Sequence, residues 1–440
     1  MVFVCQFRDF ETKEVLETGA DSINVRANER KIFQSLDGGK LQLIVVTRAY
    51  QRAREAGVGV AASELTHELM KLGVELVAVI RSDASARSHA NNAHDPLPTI
   101  SIEIKDNSFL KPFEKYLLSR RAVESLKLLQ KNYGDDCVIH SHSLFPSALL
   151  SNVYKEMKAI FVTTIHGTYE GERERFRKEM PVHPLELRYR LSSYMEGYVL
   201  RVLKRRCKSH VIALSSENAR RFIHTGLPKS RVHVIPNGVN LNFFKPYDRD
   251  EARKKLSLPP EKLIVLTIGY IEPRKGLHTL IKSAHTVINE EPDGYFVIVG
   301  HVRNNYRWYM AYLKKLLNKL GLNKHFKFVG FAPTEELPLY INAADMFALT
   351  SYAEGAPLVI PQAMACKRIV IATQGAAAGY LPPNLVVQNG NSDEIAQKIS
   401  FYLSNTKERR LNSKELYKKA KNELSWANIA RKTLDLYRKI

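Results

Sequence analysis

The sequence predicts an α/β protein built from two open parallel sheets, each covered by helices on both faces, and three observations carry that prediction. Short continuous apolar runs alternate with helix-length segments, the pattern of strands buried on both faces. The alternation restarts after a turn-rich segment near the middle, so it describes two units. A length of 440 residues also exceeds what one ordinary core serves.

Residues 1–38 read as a polar lead-in, after which residues 41–47 (LQLIVVT) form the first buried strand, 61–72 a helix and 75–80 the next strand. Further strands are expected at 137–140, 160–165 and 211–214. The segment 232–246 carries turn chemistry at Pro236, Asn237 and Gly238, which places the domain boundary there and gives a first domain of 39–236. In the second domain, 237–424, strands are expected at 263–268, 295–299, 326–329, 346–349 and 368–372. Its helices begin near Lys275 and at Pro357. The tail 425–440 holds Trp426, Ile429, Leu434 and Tyr437 near helical spacing.

Sixty-six Lys and Arg stand against 45 acids, a formal net charge of +21, which favours an anionic partner. The basic residues are spread along the chain instead of forming an arm, and no nucleic-acid module is present, so an anionic membrane surface is preferred over nucleic acid. An arginine-rich stretch at 172–178 and 185–206, interleaved with tyrosine, leucine and valine, offers lipid contact, although a solvated face explains such a run more simply. No run reaches the length of a membrane span, and charges come too early in residues 1–14 for a secretory signal. The expectation is a cytoplasmic protein, peripheral at most on the inner membrane face. Cys5, Cys137, Cys207 and Cys366 are scattered without metal-ligand spacing, so no metal is expected.

The chemistry concentrates at 351–358 (SYAEGAPL), running on to Cys366. Glu354 and the turn at Gly355 come directly before a helix predicted to begin at Pro357, so helix-terminal amides and a carboxylate share a small volume. Helix dipole and amides suit a phosphate, while Glu354, with no basic residue beside it in sequence, suits sugar hydroxyls. A second candidate, Gly269 to Gly276 (GYIEPRKG), follows a strand and opens a helix, with Arg274 and Lys275 at its end. Two more lie in the first domain. Gly57 and Gly59 fall between a strand and a helix, and His166 follows the strand 160–165 at the sheet edge where ligands of parallel sheets sit. His140 and His142 alternate on one strand face with no third ligand evident, and packing accounts for them.

These segments resemble the signature loops of family 4 glycosyltransferases, of the GT-B type. The resemblance implies two Rossmann-like domains with a cleft between them and a C-terminal helix crossing back to the first domain. It also implies a metal-independent, retaining hexosyltransferase, with a nucleotide-sugar as donor substrate, no cofactor, and a lipid, glycan or small sugar as acceptor. His166, Glu354 and Lys275 then take catalytic roles. Gly57, Gly59, Arg274, Tyr270, Gly355, Ala356, Pro357, Leu358 and Gln362 bind substrate, the glycine amides and basic residues toward the diphosphate and Gln362 toward the ribose.

Three positions depart from the pattern. Tyr270 stands where the family carries an arginine, which removes five donors and a permanent cation that Arg274 is expected to replace. Gln362 replaces a second glutamate, about 7.5 Å along a helix begun at Pro357, at a cost of roughly 1–2 kcal/mol in ribose binding. Pro361 precedes it and disturbs the turn that aims it. These departures keep a non-catalytic sugar-nucleotide-binding subunit open as an alternative. Gly57, Gly59 and Asp83 together keep a nicotinamide-dependent oxidoreductase open, weakened by about ten residues between strand and first glycine.

Overall fold

In a computed structural model, residues 4–6, 15–17, 24–26, 41–47, 57–82, 99–102, 126, 137–142, 159–166, 200, 204 and 209–440 are described. Among them the chain divides into two compact units, the first ending at Ile235 and resumed by Ala430–Ile440, the second running over Pro236–Ile429. The arginine-rich stretch and Asp83 lie outside the described residues, apart from Leu200 and Lys204.

The first unit is built on one sheet. Its strands, in chain order, are β1 (Val4–Gln6), β2 (Val15–Glu17), β3 (Asn24–Arg26), β4 (Gln42–Thr47), β5 (Glu75–Ser82), β6 (Thr99–Ile102), β7 (Cys137–Ser141), β8 (Ile160–Ile165), β9 (His210–Ala213) and β10 (Val232–Val234). They lie in the order β10-β9-β8-β7-β4-β5-β6-β3-β1-β2, and β10 through β6 run parallel. β4 is buried at every position and β7 likewise, as continuous apolar runs require. The lead-in differs from expectation. Three of its segments are short strands that extend the sheet edge, β3 pairing antiparallel with β6. Each is three residues long, too short for period-2 alternation to be read.

The second unit holds β11 (Leu263–Ile268), β12 (Gly294–Val299), β13 (Phe326–Gly330), β14 (Met346–Leu349), β15 (Ile369–Thr373) and β16 (Val386–Val387). All run parallel in the order β13-β12-β11-β14-β15-β16. Counted from its own first strand this is the doubly wound 3-2-1-4-5-6 order, whose switch point lies between β11 and β14. Ligands of such sheets bind outside the carboxyl ends of the strands at that point.

The opposite edge is held by a buried ion pair. Arg253, 1% exposed, donates to Asp345 Oδ2 at 2.7 Å and to the carbonyl of Ala343, while Asp345 Oδ2 also accepts from the amide of Ile264. The helix Arg249–Lys255 is thereby tied to the entries of β11 and β14. Removing one partner of such a pair typically costs about 3–5 kcal/mol, so this cluster belongs to stability.

Candidate functional site

Two loops meet at the switch point of the second sheet: residues 269–276 after β11 and residues 350–358 after β14. Gly276 takes the left-handed conformation at φ 64° and closes a short 3-10 turn, Pro273–Lys275, before the helix Leu277–Glu290. A Cβ there would collide with the carbonyl of Thr350, so only glycine lets the loops approach this closely. The approach is fixed by hydrogen bonds from the Thr350 hydroxyl to the carbonyls of Lys275 and Gly276, and from the Tyr352 amide to the carbonyl of Arg274. Tyr352 also bonds through its phenol to Thr279 Oγ1 at 2.8 Å and His278 Nε2 at 3.0 Å.

That packing brings Glu354 against two cations. Lys275 Nζ lies 2.6 Å from its Oε1 and Arg274 Nη1 lies 2.9 Å from its Oε2. The sequence reading, which gave Glu354 no positive partner, is corrected here by contacts about eighty residues apart in the chain. Burial alone would raise the Glu354 pKa, and the neighbouring Arg274 and Lys275 outweigh it, holding it at about 2. The carboxylate is therefore ionised at neutral pH: it accepts hydrogen bonds and cannot donate a proton.

A folded pKa of about 2 against an ordinary 4.5 sets the sign of a pH effect. The ion pair contributes fully above pH about 4.5 and is lost as pH falls toward 2, with a total on the order of 3 kcal/mol. Unfolding free energies measured across that window are expected to fall more steeply for the native chain than for Glu354→Gln.

Arg274 is occupied on every side. Its guanidinium also donates to Glu272 Oε1, at 2.7 Å from Nη2 and 3.1 Å from Nε, and to the carbonyl of Ala353 at 2.7 Å. It holds the Glu354 loop in place, which corrects the expectation that it stands in for the cation missing at Tyr270. Another cation lies there. Arg303, in the loop after β12, stacks 4.0 Å over the Tyr270 ring, and its Nη1 is 3.5 Å from Glu272 Oε2. Its side chain is 47% exposed, leaving donors of its fork turned to solvent. Glu272 and Arg303 were missed in the sequence. Glu272 stood inside the recognised loop, whereas nothing near Arg303 marks it.

The loop 351–358 itself differs from expectation in its helix. The helix runs over Val359–Ala365, with Leu358 at its cap, instead of starting at Pro357. Pro361 is then its third residue, where an amide has no intrahelical partner, so the proline breaks nothing. Gln362 lies only about 4.5 Å along the axis and its amide bonds the carbonyl of Leu358. The residue is 9% exposed, and its Oε1 is buried without a hydrogen-bond partner among the described residues. Besides the Tyr352 amide, that of Glu354 is also used, on the carbonyl of Gly375, and the carbonyl of Ala356 accepts from Asn237 Nδ2. Gly355 and Pro357 are half-buried.

In the first unit, Gly57 and Gly59 open the helix Gly57–Lys71 as its first turn, four residues earlier than expected; Gly57 is exposed and Gly59 buried. His166 follows β8 and sits 3.2 Å from His142 Nδ1 through Nε2, so His142 has a polar partner that packing alone did not anticipate. His140 bonds Thr164 Oγ1 at 2.7 Å and Tyr437 OH at 2.6 Å, which fastens the end of the helix Trp426–Lys439 within this unit. Burial lowers the pKa of all three imidazoles, to about 4 for His166, so His166 is neutral at pH 7. Among the described residues no group of three His, Cys, Asp or Glu is placed to hold a metal ion.

Two doubly wound sheets, the first parallel from β10 through β6 and the second throughout, with an acid and a basic cluster at the switch point of the second, define the GT-B class of glycosyltransferase-type folds. The chain matches family models over most of its length: residues 56–243 match Glycosyltransferase Family 4 and residues 248–421 match Glycosyl transferases group 1. It has the GT-B fold and resembles family 4. A relative, the D-inositol 3-phosphate glycosyltransferase of Rhodococcus jostii (strain RHA1), is 27% identical over 235 residues, 52% of each chain. The chain thus spans about half the length of the curated relatives it matches first. Among solved structures, Anabaena HepE in complex with UDP superposes with a TM-score of 0.70 at 18% identity, over 91% of this chain and 100% of that one. Sucrose-phosphate synthase from Thermosynechococcus elongatus gives 0.74 at 21% identity, over 90% and 98%. At these identities the two structures establish the fold.

Proposed function

We propose that the chain is a retaining, metal-independent glycosyltransferase that moves a sugar from a nucleotide-sugar to an acceptor hydroxyl on a lipid, glycan or small sugar. The observation that carries this reading is the Lys275–Glu354–Arg274 cluster at the switch point of the second sheet. The UDP bound by the Anabaena neighbour supports a nucleotide-sugar donor.

As the bond from the anomeric carbon to the diphosphate breaks, negative charge grows on the departing phosphate. Lys275, an ammonium 13% exposed, and Arg303 supply the opposing charge, with the amides of Ala356 and Leu358 as further donors. Glu354, ionised and held between two cations, accepts from sugar hydroxyls. That bracing makes it a poor nucleophile, which favours attack by the acceptor from the leaving-group face, its proton passing to the departing phosphate. The unpartnered Gln362 Oε1 accepts from a ribose hydroxyl. Gly57, Gly59 and His166 keep the roles that the resemblance gives them, and the reading rests on the second unit without them.

Incubating the chain with a panel of nucleotide-sugars and acceptors tests the reading through release of free nucleoside diphosphate. Release with one donor is the expected result. Binding without release in every combination would instead favour the non-catalytic subunit, to which Tyr270 and Gln362 already lend weight. For Arg303→Ala, calorimetry is expected to show nucleoside diphosphate affinity falling about tenfold, with recovery on adding Tyr270→Arg. Unchanged affinity in the single variant would remove Arg303 from the site.

A further inference from the structure

The helix Arg307–Lys319 of the second unit presents an outward stripe that the proposed transfer does not use. At about 100° per residue, Trp308, Tyr312, Lys315 and Lys319 fall within one narrow arc. All four are exposed, the two aromatics at 42% and 43%, while Tyr309, Leu313 and Leu317 pack inward. Along this stretch of the chain the charge is of one sign. Between Asp293 and Glu335 the chain carries no acidic residue and seven Lys or Arg, and the three lysines Lys314, Lys315 and Lys319 have no carboxylate within ion-pair distance among the described residues.

We propose that this face docks on an anionic lipid bilayer. Indole and phenol rings one helical turn apart suit the interfacial layer, and lysine stems lie along it with ammonium groups at the headgroups. An excess of cations with no acid among them complements a negatively charged leaflet, each basic residue near the surface adding to the attraction. A single-stranded nucleic acid would also take aromatic and basic groups, but it is bound along a groove, whereas Trp308, Lys315 and Lys319 project from the outer surface of one helix and Tyr312 alone of the four is seen beside a cavity, with His278 and Tyr352. The inference is independent of the donor chemistry, and names a partner that brings the chain to lipid-linked acceptors.

The protein provides its own probe. It has two tryptophans, Trp308 at 42% exposure and Trp426 at 5%. Phosphatidylcholine vesicles containing phosphatidylserine are expected to shift tryptophan emission to the blue, and pure phosphatidylcholine vesicles are not. The shift should vanish in Trp308→Phe and weaken with added salt. A double variant Lys315→Glu, Lys319→Glu should bind the anionic vesicles at least about tenfold more weakly while its nucleoside diphosphate affinity and circular dichroism stay unchanged. No shift with anionic vesicles, equal binding by the double variant, or displacement of the vesicles by a single-stranded RNA oligonucleotide would overturn the proposal. None of these outcomes bears on whether a sugar-nucleotide is bound.

Discussion

Replacing Glu354 with Gln is expected to lower sugar transfer at least about a hundredfold while nucleoside diphosphate binding tightens about tenfold. The opposite signs follow from the position of the carboxylate, 2.6 Å from Lys275 Nζ and 2.9 Å from Arg274 Nη1. In the native chain those cations are partly neutralised by Glu354. An amide returns the full charge of Lys275 to an incoming diphosphate, a gain of about 1.4 kcal/mol for each tenfold. It also removes the charged acceptor for sugar hydroxyls, and hydrogen bonds to charged groups contribute about 1.5–3 kcal/mol each. The substitution leaves two largely buried cations short of a partner, so stability should fall by roughly 2–4 kcal/mol. Isothermal titration with nucleoside diphosphates, beside initial-rate measurements, separates the two effects. A parallel fall in both quantities would show that Glu354 only holds the loops together.

The second large effect is expected at Lys275. It is 13% exposed, ends the turn that Gly276 closes, and directs its ammonium to the switch point of the sheet. Lys275→Ala removes a charge-assisted contact of about 2–3 kcal/mol, so nucleoside diphosphate affinity should fall roughly thirtyfold to a hundredfold. Affinity for the matching nucleoside, which carries no phosphate, should stay the same. A uniform loss across both ligands would indicate a collapsed loop instead of a lost phosphate contact. The pair of variants is therefore informative together: one sheds a negative charge beside the diphosphate, the other a positive one.

The parts of this architecture that the sequence discloses are those in which local pattern and tertiary environment agree. β11, β14 and β8 match their expected limits because runs such as LIVLTI tolerate only a strand buried on both faces. The edge strands β1 to β3 carry no such pattern, since sheet edges of three residues tolerate polar side chains. Pro357 was a reasonable helix start by local preference. The helix begins two residues later, with the loop ahead of it held by Asn237 and Gly375, which lie over a hundred residues before it and about twenty after it.

The site shows the same division. Glycine turns and basic residues after a strand marked Gly276, Lys275 and Glu354 directly. What the side chains do for one another was hidden, because each pairing spans the sheet: Arg274 to Glu354 across two neighbouring strands, Arg303 to Tyr270 across β11 and β12. A sequence can show that a cation is missing at one position. Only the folded chain shows a second one stacked over the residue that replaced it.

The claim beneath all of this is that the second unit grips a diphosphate with Lys275, Arg303 and backbone amides. Calorimetric titration of the native chain with UDP, GDP and ADP, each beside its nucleoside and in the presence of EDTA, tests it most directly. The account predicts that at least one nucleoside diphosphate binds, that its nucleoside binds far more weakly, and that the chelator changes neither. Silence from all three diphosphates, binding abolished by EDTA, or NAD bound in their place would contradict it.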